Sequence, residues 1–85
     1  MILKCNATIA NDLKRKELFS FVRKVAVSYS EIGQTIHMTY NGDDERICLE
    51  IIDKFESCEE HGIEAIDLKG VVLCHEIVEK NSFHT

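Results

Sequence analysis

Residues 11–30 read NDLKRKELFSFVRKVAVSYS, and the fold turns on this stretch. Leu18, Phe21, Val22, Val25, Ala26 and Tyr29 recur at the i, i+3, i+4, i+7 spacing that gathers side chains into one stripe of a helix. The spacing predicts a helix from about Asp12 to Ser28, with Asn11 or Asp12 capping its start through a side-chain oxygen. Lys14, Arg15 and Lys16 crowd its first turns. There the positive end of the helix dipole disfavours each exposed cation by roughly 0.3–1 kcal/mol. Such a run is either a solvated face or an end built to meet an anion.

On the N-terminal side, Leu3, Cys5, Ala7 and Ile9 alternate with Ile2, Lys4, Asn6 and Thr8, the period of a half-buried strand with the first set inward. On the C-terminal side, residues 30–33 read as a loop broken by Gly33, and Gln34 to Tyr40 as a strand with Ile36, Met38 and Tyr40 on one face. Asn41-Gly42 tolerates the positive φ of a tight hairpin, so a return strand is expected over Glu45 to Leu49. From Glu50, the spacing of Ile52, Phe55 and Cys58 beside Ile51 suits a short helix, fraying by His61-Gly62. Ile63 to Leu68 alternates again as a strand. VVLCHEIVEK, residues 71–80, is ambiguous: its β-branched content suits a strand, but Val71, Cys74 and Val78 with Leu73 and Ile77 also share a helical face. A helix is the expectation adopted for it. The order is then β-α-β-β-α-β plus a last helix. It describes an α+β domain spanning residues 1–85, with two or three helices on one face of a four-stranded, mainly antiparallel sheet.

Eighty-five residues at 45% hydrophobic and 29% charged are an ordinary globular composition for one small core. No apolar run is long enough to span a bilayer, and the opening MILKCNATIAND is too short in apolar residues for a signal peptide. The four cysteines, Cys5, Cys48, Cys58 and Cys74, are therefore expected as reduced thiols of a cytoplasmic protein. The net charge of −5 argues against nucleic-acid binding. It is also uneven: five of the ten basic residues lie between Lys14 and Lys24, and eight of the fifteen acids between Asp43 and Glu60.

The element order, the helix start Asp12-Leu13-Lys14-Arg15-Lys16-Glu17 and the motif Tyr40-Asn41-Gly42 together resemble the HPr family, the histidine-containing phosphocarrier proteins of the sugar phosphotransferase system. The resemblance implies an open-faced β-sandwich over nearly the whole chain. It also implies what has been lost. The family's phosphorylated His falls at Lys14, its supporting Arg at Lys16, and its helix-starting Pro at Glu17. An ammonium at Lys14 cannot relay a phosphoryl group at neutral pH, and Lys16 keeps the charge without the bidentate fork of arginine. The family's regulatory Ser would fall near Ile51, and none of His37, His61, His75 and His84 takes the missing histidine's place.

Other chemistry is weakly signalled. Cys58-x-x-His61 followed by Cys74-His75 invites a zinc site, but adjacent residues point to different faces, and buried cysteines with surface histidines are the plainer expectation. No nucleophile elbow, Walker loop, dinucleotide fingerprint or Ca²⁺ loop occurs, so neither catalytic residues, cofactor nor metal is expected. Two classes of function remain. One is a non-catalytic regulatory or protein-binding module whose Lys14, Arg15 and Lys16 meet an acidic or phosphorylated protein. The other is a small enzyme or ligand-binding domain of split β-α-β type.

Overall fold

A computed structural model describes residues 1–67 and 69–79. Its elements run β1 (Ile2–Thr8), α1 (Asp12–Val25), β2 (Ser28–Ile32), β3 (Thr35–Asn41), α2 (Glu45–Glu56), β4 (Glu60–Ile66) and β5 (Val72–Val78). The strands form one sheet in the order β2-β3-β1-β4-β5, with every neighbouring pair antiparallel. β1 separates β3 from β4, and β3 separates β1 from β2, so the two β-α-β units are split and interleaved.

The inward set of β1 is Leu3, Cys5 and Ala7, as its alternation predicts, and it meets Ile36, Met38 and Tyr40 of β3 and Ile63 and Ala65 of β4. Both helices cover this face of the sheet. α1 supplies Leu18 and Val22, and α2 supplies Cys48, Ile51 and Phe55. Phe55, Leu3, Ile36, Ile51 and Val22 are the largest side chains sealed from solvent. Burial pushes the Cys5 thiol up to about 12, so it serves as a small protonated core group. Cys5, Cys48 and Cys58 are free thiols. Among the described residues no helix is long and apolar enough to cross a membrane.

Six expectations are corrected. Helix α1 ends at Val25 rather than Ser28, because Ala26 is already extended (φ −80°, ψ 143°) and the Val27 amide donates to Thr39 O at 2.8 Å. The stretch expected as a loop at 30–33 is instead β2 and its hairpin, with Gly33 at φ 61° in a two-residue turn that needs positive φ at that position. Tyr29, expected on the helix stripe, packs from β2 edge-on against Phe19, ring centroids 5.5 Å apart.

The expected hairpin at Asn41-Gly42 does not form. Gly42 has no positive φ, and its amide donates to Met1 O at 3.1 Å, prolonging the β1–β3 pairing. Asp44 then caps a helix, its Oδ1 accepting from the amides of Arg46 at 3.0 Å and Ile47 at 3.3 Å. Glu45 to Leu49 is accordingly the first part of α2 and not a return strand.

Residues 72–78 are a strand, not a helix, which makes the sheet five-stranded and leaves two helices among the described residues. The turn before it decides this. Asp67 Oδ1 accepts from the amides of Lys69 at 2.9 Å and Val71 at 2.8 Å, and Gly70 takes φ 84°, folding the chain back along β4. Without β5, β4 would present a bare edge beside its buried Ile63 and Ala65.

Candidate functional site

The start of α1 is held by two devices. Asn11 Oδ1 accepts from the Lys14 amide at 2.9 Å, as a cap should. Arg15 does more. Its Nη1 donates to Ile9 O at 2.7 Å, Nη2 to Asp12 Oδ1 at 2.6 Å and Nε to Glu31 Oε2 at 3.1 Å. One guanidinium thus joins the end of β1, the first turn of α1 and the edge strand β2. Its side chain is only 14% exposed. The hydrogen bond with Asp12, joined by Glu31, outweighs desolvation and holds the guanidinium above its ordinary value. Each of its three nitrogens is engaged within the chain.

Lys14 and Lys16 are exposed, and among the described residues neither is in an ion pair. Two residues apart on a helix, they point in different directions and do not form one cluster with Arg15. Lys14 lines a cleft of about 610 Å³ between the first turns of α1 and the end of α2. Lys54 of α2 stands in the same cleft, together with Glu17, Ser57, Cys58 and Glu59. The Lys54 ammonium also lies 5.0 Å from the centre of the Phe21 ring, which orients it from below. Partial burial raises the Cys58 thiol, so it is no reactive thiolate. Lys16 does not line this cleft. The sequence named Lys14 but not Lys54, since only tertiary packing brings the two together.

A second polar surface lies on the helix-free side of the sheet. Cross-strand register sets Ser30, His37, Asn6, Gly62 and Ile77 in one row, and Ser28, Thr39, Lys4, Glu64 and His75 in the next. They line a trough of about 510 Å³. Alternation marked Lys4, Asn6, His37, Thr39 and Glu64 as outward; the other residues, and the alignment into rows, needed the observed strands and their order.

His61, expected at the surface, is buried instead. Its Nδ1 lies 2.8 Å from Cys58 O and its Nε2 lies 2.6 Å from Glu76 Oε1. Pairing of β5 with β4 delivers Glu76, and that pairing explains the burial. Cys58 therefore meets the His61 ring through its backbone oxygen.

No protein-family model matches the chain, and no curated protein or solved structure matches it either.

Proposed function

We propose that the chain is a non-catalytic regulatory or protein-binding module that receives an acidic or phosphorylated group of a partner protein at the start of α1. The observation carrying this is the pair Lys14 and Lys54. Two cations from different helices line one cleft, and among the described residues neither is in an ion pair. The amides of the first turn add a positive field to the same place. Glu17 in the wall tempers that field and selects against an anion that cannot reach the two ammonium groups. Lys16, on another side of the helix, steers approach without direct contact. The likeness to the HPr family supports the same site, because Lys14 stands where that family carries its phosphorylated His. By this proposal the chain is a phosphocarrier-like scaffold that has lost the phosphoryl relay and kept the docking end. The fifth strand, at residues 72–78 in place of the family's last helix, and the absence of a hairpin at Tyr40-Asn41-Gly42 are departures from the family's pattern.

Titration with inorganic phosphate, followed by amide NMR, tests the site. Shifts should concentrate at residues 11–14 and 54–58 and be lost in the Lys14→Glu, Lys54→Glu double variant. Undiminished shifts in that variant would place the anion elsewhere. Incubation with enzyme I and phosphoenolpyruvate should leave the chain unphosphorylated.

A second function, small-ligand binding on the open sheet face, is favoured by the two polar rows. Among the described residues Lys4, Asn6, His37 and His75 have no side-chain partner in the chain. Shifts confined to residues 4, 6, 37 and 75 on screening small polar ligands would select it.

A further inference from the structure

The two edges of the sheet are defended unequally. Edge strand β2 is five residues long, carries two serines and is tied down from α1 by the Arg15–Glu31 and Phe19–Tyr29 contacts. Edge strand β5 is seven residues long and, among the described residues, pairs with β4 alone. Of the ten large apolar residues exposed among the described residues, five fall between Val71 and Val78: Val71, Val72, Leu73, Ile77 and Val78. Lysine, arginine and proline, which discourage edge pairing, are absent from this stretch, and Glu76 is its one charged residue.

Its sequence has a further property. In Val72-Leu73-Cys74-His75-Glu76-Ile77-Val78 the two outer apolar pairs are symmetric about His75, Val72 with Val78 and Leu73 with Ile77, while the inner pair, Cys74 and Glu76, is not. A two-fold axis through His75, with the strands antiparallel, sets Val72 opposite Val78 of a second copy and Leu73 opposite its Ile77. Isologous contacts require this self-complementarity, whereas a foreign strand would not. Charge does not oppose the contact despite the net −5 of the chain. The one acid of the strand, Glu76, is engaged by His61 of its own chain at 2.6 Å.

We infer that β5 pairs with β5 of a second copy of this chain, joining two sheets into one across a two-fold axis at His75. The contact is independent of the α1 cleft. A single strand pair falls at the small end of specific interfaces, so the dimer forms reversibly with concentration.

Sedimentation equilibrium of the whole chain tests it. The apparent mass should rise from that of one 9.7 kDa chain at low concentration to nearly double at ~1 mM. Amide exchange over residues 72–78 should slow in parallel. Ile77→Lys, at a position already 62% exposed in the monomer, should remain monomeric across the range. Ile32→Lys on the other edge should dimerise like the parent. A parent that stays monomeric at ~1 mM overturns the inference, whether β5 exchange is fast or is already slow because something else covers the edge. So does a dimer that persists in Ile77→Lys with unchanged β5 protection. The parent's own concentration dependence decides the matter even if the lysine variant fails to fold.

Discussion

The two helices begin in opposite ways. α2 starts on Asp44, which accepts two amides, and Glu45 follows in the first turn, so two carboxylates suit the dipole there against one cation, Arg46. α1 starts on Asn11, which accepts one amide, and then sets Lys14, Arg15 and Lys16 against the dipole. Arg15 is explained by its three acceptors. Lys14 and Lys16 are not explained by anything that holds the fold together. With carboxylates outnumbering its one cation, the start of α2 is close to what stability alone produces, and the excess of positive charge at α1 is what stability leaves over.

The largest effect should come from α2. Asp44→Ala removes the acceptor of two amides and should cost about 1–2 kcal/mol. In a domain of this size each kcal/mol lowers the melting temperature by roughly 4–8 °C. Asn11→Ala removes one acceptor at a helix start that Arg15 also pins, and should cost less, about 1 kcal/mol. Thermal melts of the two variants rank them. Asp44→Asn should recover most of the loss, since an amide oxygen also caps; a full loss in that variant would assign the effect to charge.

The same contrast explains what could be read from the sequence. β1 and β3 alternate over seven residues each, and α1 repeats its stripe over several turns, so their periods stand out. The start of α2 was obscured because Asn41-Gly42 is a strong hairpin signal, although Asp44 with Cys48, Ile51 and Phe55 carried the helical pattern all along. β2 has all five residues exposed, and burial leaves no alternation to detect. β5 is a seven-residue strand rich in apolar side chains, too short for its period to separate strand from helix. The site was half legible. Lys14 was visible as a misplaced charge, but Lys54 and Glu31 join the region through tertiary packing and strand pairing.

Arg15 offers a smaller and more local test. Arg15→Lys keeps the charge but cannot reach Ile9 O, Asp12 and Glu31 together. Amide exchange should quicken over residues 28–32 and at the first turn of α1, while α2 is unchanged. Equal loosening of α2 would mean that Arg15 supports the whole core and not this corner.

The smallest effect should have the opposite sign. Lys14→Glu with Lys16→Glu replaces two exposed cations by anions at the positive end of α1, a change worth up to roughly 0.3–1 kcal/mol each in favour of the folded state. The gain should lie low in that range. Glu17 stands three residues from position 14 and would repel a new carboxylate, while relief of repulsion between Lys14 and Lys54 acts the other way. Because both sites are exposed, the gain should shrink as salt screens the dipole. Urea melts at low and high salt measure both features. A variant at least as stable as the parent that no longer binds phosphate would separate function from folding at this helix start. A variant clearly less stable than the parent would show that Lys14 and Lys16 hold the fold together, and the two helix starts would then differ only in which charges they use.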